Sequence, residues 1–229
     1  PIGEIERRVQ AARPLLGGPI PADLRDRLGT THYDGKYYFT QEPFLLEGCK
    51  AIQRLGMRVA KLWLSAELPG YSYHSDWRLK PNATLAEVAR HPYFVQAFAL
   101  PFSTFVLEVL PVTRDGKPFL DPARDYAQEE EELRGLAAYL LKSYADRDVT
   151  FILQHWEGDW MLRGQPGRLW QRGGPPEADR RCTAFARWLA ARQRGVSQAR
   201  AEAGAAKCRV YHAAEVNRVL DALRGIPTV

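Results

Sequence analysis

The chain has 229 residues, 45% hydrophobic and 26% charged, enough for one large core. No apolar run approaches the ~20 residues a bilayer crossing needs, and the opening PIGEIERRVQ lacks the apolar stretch of a signal peptide. A net charge of +5 comes without helix-turn-helix or finger spacing, so no nucleic-acid partner is expected.

The chain opens on Pro rather than Met, as after removal of a leader. The expectation is therefore a soluble protein, either cytoplasmic or exported with a cleaved leader. Cys49, Cys182 and Cys208 form no CxxC pair and read as small buried hydrophobes, with no metal and no disulfide framework expected. The arginines of RRCTAFARWLAARQRGVSQAR flank Phe185, Trp188 and Leu189 at helical spacing, as a solvated face does.

Residues 1–28 read as a polar lead-in with a short helix at 3–13, and LGTTHYDG (28–35) as a short strand breaking into a loop. In EPFLLEGCKAIQRLG, Pro43 takes an early helical position, Phe44, Leu45, Cys49, Ile52 and Leu55 follow at helical spacing, and Gly56 stops the helix. MRVAKLWLS (57–65) is a strand, and a polar-aromatic loop carrying Tyr71, Tyr73 and His74 follows. A helix over 84–98 is predicted from Thr84 with Glu87 three residues on; it includes His91, read as surface. FSTFVLEVLPV (102–112) is a strand, and 125–145 a helix with Leu133, Leu136, Ala137, Leu140 and Leu141 on one face. A strand over 149–157, a helix over about 177–203 and a strand or strand-to-helix junction at 208–217 complete the order.

Strand and helix alternate throughout, and the strand runs are apolar rather than cleanly alternating. That pattern implies a parallel sheet with helices outside. No GxGxxG or GxxxxGK[ST] follows a strand, which excludes the common nucleotide-binding variants. Polar residues gather where the strands end: His32 and Asp34; Lys61, Trp63 and Ser65; Glu108; His155, Glu157 and Asp159; His212, Glu215 and Asn217. This is the layout of the C-terminal face of a (β/α)₈ barrel. The expected fold is α/β, a TIM-type (β/α) barrel filling 1–229 as one domain, incomplete or truncated because five βα units are legible. Parallel strands are expected near 29–33, 58–64, 103–110, 149–156 and 209–214.

The stretch EGCKAIQRLGMRVAKLWLS resembles the helix and second strand of clan-A glycoside hydrolase barrels, and FILQHWEGDW resembles their fourth strand. The resemblance implies Glu157 as the general acid/base. Trp156 stands where the family carries Asn, and the family's nucleophile comes from a seventh strand that has no counterpart among these five. It implies a carbohydrate ligand, no cofactor and no membrane partner, and leaves the oligomeric state open.

The residues themselves fit such chemistry. Glycoside cleavage needs two carboxyl groups, one of them a protonated acid, and aromatic walls such as Trp156 and Trp160 raise a carboxyl pKa by excluding water. His155 and Glu157, two apart, share a face if the strand runs through them. His32, Asp34, Lys61, Trp63, His155, Trp156, Asp159, Trp160, His212, Glu215 and Asn217 are the candidate substrate-binding residues, with Trp63, Trp156 and Trp160 expected to border one cleft with His32 and His155. Alternatively, HWEGDW is a turn in which Asp159 caps the next segment, and Glu215 belongs to the first turn of a helix. Two other functions compete: a metal-dependent barrel hydrolase or isomerase using His32, Asp34, His155, Glu157 and His212, and a non-catalytic carbohydrate-binding barrel remnant.

Overall fold

The computed structural model describes residue 7 and residues 23–32, 39–65, 79–80, 82–112, 119–121, 123–163 and 175–229. Of the helix expected at 3–13 only Arg7, which is helical, is among them; the loop with Tyr71, Tyr73 and His74, and Asp34, lie outside them.

Five strands form one all-parallel sheet in the order β1 (Gly29–His32), β2 (Val59–Trp63), β3 (Thr104–Glu108), β4 (Thr150–Gln154), β5 (Arg209–Ala213). Among the described residues the sheet is open, with β1 and β5 at its edges. Each strand pairs with the next in sequence. Right-handed crossovers that always advance in the same direction bring the connecting helices to one face.

The helices in chain order are α1 (Leu24–Arg27), α2 (Phe44–Arg54), α3 (Leu85–Ala89), α4 (Pro92–Ala99), α5 (Ala127–Ser143), α6 (Gly158–Arg163), α7 (Ala178–Glu202) and α8 (Val219–Ala222). None of the described helices is long and apolar enough to cross a membrane.

The predicted helix over 84–98 is two helices. Thr84 and Glu87 make the expected capping box, but Pro92 lacks an N–H and its ring cannot follow a continuing helix. It starts α4 instead, where His91 Nδ1 accepts from Tyr93 N at 3.3 Å. Pro43 precedes α2 as its cap residue rather than lying within it.

The strand pleat separates two faces. Ala60, Leu62, Phe105, Leu107, Phe151, Leu153 and Val210 point to the helices and are buried. Phe98 of α4 packs edge-on against Phe105 and Phe151, each with centroids 5.2 Å away. On the other face Lys61, Val106, Ile152 and Tyr211 share one register row, and Trp63, Glu108, Gln154 and Ala213 the next.

A second core lies at the C-terminal ends of the strands, built from Leu120, Tyr126, Leu162, Phe185, Trp188 and Ala191. Beside it Arg192, expected on a solvated face, is fully buried. Its Nη1 pairs with Glu129 Oε1 at 2.7 Å, and its Nη2 donates to Val109 O and Gln154 O at 3.1 and 3.3 Å. The guanidinium also lies 4.6 Å from the Trp188 ring centroid. It satisfies the Val109 carbonyl just past the end of β3 and adds a second donor to Gln154 O, which already accepts from Val109 N at 2.8 Å, a task the apolar residues around it cannot perform. Glu129 Oε2 accepts from Val112 N at 2.8 Å, so the pair ties α5 and α7 to the chain leaving β3.

Removing one member of a buried ion pair strands the other's charge, which costs about 3–5 kcal/mol. Arg192→Met is therefore expected to lose about that much in urea unfolding, and Arg192→Met with Glu129→Gln to lose less than the single variant.

Candidate functional site

On the face away from the helices, at the C-terminal ends of the strands, Lys61 of β2 reaches two carboxylates. Its Nζ lies 2.9 Å from Glu108 Oε2 and 3.3 Å from Glu215 Oε2. Gln154 Nε2 also donates to Glu215 Oε2, and Asn217 Nδ2 lies 3.4 Å from Oε1. Glu108 is 1% exposed, and its Oε1 has no hydrogen-bond partner among the described residues. Burial lifts the Glu108 carboxyl above the ordinary carboxylate range against the pull of Lys61, and the charges of Glu215 and Glu157 add to the lift. Burial works against the Lys61 ammonium, but its bonds to Glu108 and Glu215 outweigh it and hold the pKa above the usual lysine value.

Glu215 follows β5 by two residues and has no regular element to fix it. HWEGDW does so. β4 ends at Gln154, so the two-residue strand period does not extend to Glu157, and His155 turns to the other side. There it is 0% exposed, edge-on to Phe185 and Trp188 with centroids 5.6 and 5.4 Å away. His155 Nε2 accepts from the backbone N–H of Glu215 at 3.1 Å, which leaves the proton on Nδ1, 3.2 Å from Trp156 O. Burial, with Arg192 nearby, depresses the His155 pKa to about 4.

α6 begins directly after Glu157, whose carbonyl accepts from Trp160 N and Met161 N at 2.9 and 3.0 Å. Asp159, in its first turn, is 0% exposed and bonded all round. Its carboxylate accepts from Asn217 N and Arg218 N at 2.7 and 2.8 Å, from Val229 N at 3.1 Å, and from Thr228 Oγ1. Gly158 sits between the two acceptors, where an added Cβ would come 2.5 Å from Glu215 O and 2.7 Å from His155 Cε1.

The other expected site residues are dispersed. His32 faces α2, with Nε2 3.0 Å from Phe44 O. His212 shares a register row with Leu153 on the helix side; its Nε2 has no hydrogen-bond partner among the described residues, and burial pushes its pKa down to about 3. Trp63 shares the Glu108 row but belongs to the main core. Trp156 and Trp160 are exposed at 39% and 42%, so the three tryptophans do not border one cleft with His32 and His155.

Lys61, Glu215 and Asn217 come together, with Glu157 close enough to act on Glu108. Gln154 was missed, although it occupies the same face as Ile152 and lies one register step beyond Lys61. Among the described residues no three His, Cys, Asp or Glu side chains converge as metal ligands. Comparison with protein-family models, with curated proteins and with solved structures finds no match to this chain.

Two predictions follow from the clamp. Gly158→Ala should destabilise the fold by about 1–3 kcal/mol, because the Cβ overpacks against backbone. Gly135→Ala, in α5 with nothing within 4 Å of the added Cβ, should instead stabilise by about 0.5–1 kcal/mol; thermal unfolding of both variants tests the contrast. The second concerns pH. Burial holds the folded His155 and His212 at about 4 and about 3, below the ordinary histidine value of about 6.5, so the unfolded chain binds more protons below neutrality. Stability from urea unfolding should be full above about pH 6.5, fall as the solution is acidified, and level off as the folded histidines protonate.

Proposed function

We propose that this chain is a glycoside hydrolase-like enzyme that binds and cleaves a carbohydrate, with Glu157 as general acid/base at the exit of β4. The observation that carries the reading is the meeting of two carboxyl groups, Glu108 and Glu215, on Lys61 at the C-terminal ends of parallel strands, with the charge of Glu157 acting on Glu108. Glycoside hydrolysis needs an acid for the leaving oxygen and a second carboxylate for the positive charge that develops at the anomeric carbon. The consecutive, one-directional strand order is that of successive units of a (β/α) barrel, and a TIM-type barrel is the fold proposed to frame the site. The exposed rings of Trp156 and Trp160 flank Glu157 in sequence and offer flat apolar faces to a sugar. They support carbohydrate binding even without cleavage.

Glu157→Gln removes the transferable proton and keeps the shape. On aryl glycosides with poor leaving groups it should lose about 10²–10⁴-fold in rate, and distinctly less on well-activated ones. Equal activity on both substrate types would refute the acid role. Carbohydrate binding by a wild-type protein that cleaves neither would leave the non-catalytic reading.

A further inference from the structure

We propose that Glu215 is the substrate-facing carboxylate that opposes the positive charge developing at the anomeric carbon, and that Lys61 is its positioning residue. The proposal rests on the hydrolase reading above and names a group which that reading leaves open.

Two carboxylates touch Lys61, and their surroundings divide the work between them. The Glu108 side chain is 1% exposed, whereas that of Glu215 is 21% exposed. A substrate can reach Glu215 and is shut out from Glu108. Glu215, though outside any strand, is firmly held. Its backbone N–H is fixed on His155 Nε2, and the next two backbone N–H groups but one, those of Asn217 and Arg218, are fixed on Asp159. Its carboxylate is met by donors from three sides: the Lys61 ammonium, the Gln154 amide and the Asn217 amide. Such preorganised surroundings hold a carboxylate where charge develops without reorganisation during the reaction.

Glu157 belongs to the same locale. It adjoins Gly158, which lies against the Glu215 carbonyl, and both carboxylates act on Glu108. Glu108 completes the arrangement from beneath, since its Oε2 holds the Lys61 Nζ at 2.9 Å. Lys61 would otherwise carry a long mobile chain, with rotamer freedom to lose each time it met Glu215.

The test uses wild type, Glu215→Gln, Glu215→Ala, and Glu215→Ala combined with Lys61→Met, assayed on activated aryl glycosides with and without sodium formate. Folding of each is checked by thermal unfolding. Glu215→Gln keeps the shape of the side chain and should lose about 10²–10³-fold in kcat/KM. Glu215→Ala should lose at least as much and regain tenfold or more with formate, a small carboxylate that fits the space beside Lys61. In the double variant formate should restore less than a third of that gain, because the ammonium that holds it is gone. A folded Glu215→Gln protein with wild-type activity, an Ala variant that formate does not rescue, or equal rescue in the double variant would each overturn the proposal while leaving the hydrolase reading in place. A wild type that cleaves no substrate in the panel would overturn both.

Discussion

Two buried acceptors at the exit of β4, His155 Nε2 and the Asp159 carboxylate, hold the chain that leaves β5. Everything on the polar end of the sheet depends on them. Loops pay for fixed geometry with conformational entropy, about 1–2 kcal/mol per ordered residue. Here the fixing is done by hydrogen bonds to backbone N–H groups that would otherwise need water. The neutral state of His155 is part of this design. Protonating Nε2 would remove the acceptor for Glu215 N, and the apolar walls of Phe185 and Trp188 already disfavour the charged ring.

The clamp rests in turn on Arg192. That side chain stands beneath the same corner and bonds the carbonyls of Val109 and Gln154. Gln154 thus joins two networks. Its backbone oxygen is held from the helix side by Arg192, and its side-chain amide holds Glu215 on the opposite face. A change in the position of α7 would therefore reach the site through Gln154 and also through His155, which packs on Phe185 and Trp188 of α7. Burying Arg192 and Glu129 together has a high desolvation cost, and the return is that the ends of β3 and β4 can adopt one arrangement.

The alternation of apolar runs made the fold legible: all five strands lie within the predicted ranges, and their C-terminal ends share one side of the sheet. The site was legible in part, in Lys61 on its strand and in Glu215 and Asn217 of the polar run just beyond β5. Lys61 follows from its register, but a period-two argument fails once the strand stops, and Gln154 ends β4 before the motif begins. Hence His155 and Asp159 were expected at the substrate and are buried anchors. The reading of HWEGDW as a turn with Asp159 as its cap came nearer to the structure, although the backbone that Asp159 captures is distant in sequence, at 217–218 and 228–229. Arg192 was not legible as a core residue because helical spacing alone cannot tell an arginine beside a buried stripe from one within it; the partner, Glu129, is 63 residues away.

The contact between Lys61 and Glu215 spans three strand spacings. Neighbouring strands lie about 4.8 Å apart, so β2 and the chain leaving β5 are roughly 14 Å apart in a flat sheet. The Lys61 Nζ and the Glu215 carboxylate are nevertheless 3.3 Å apart. Two long side chains cover part of that span, and the clamp covers the rest by drawing 215 inward over the ends of β3 and β4. A β2 lysine, a β3 glutamate, a β4 glutamine and a post-β5 glutamate thereby meet at one point, which no pair of neighbouring strands could arrange alone.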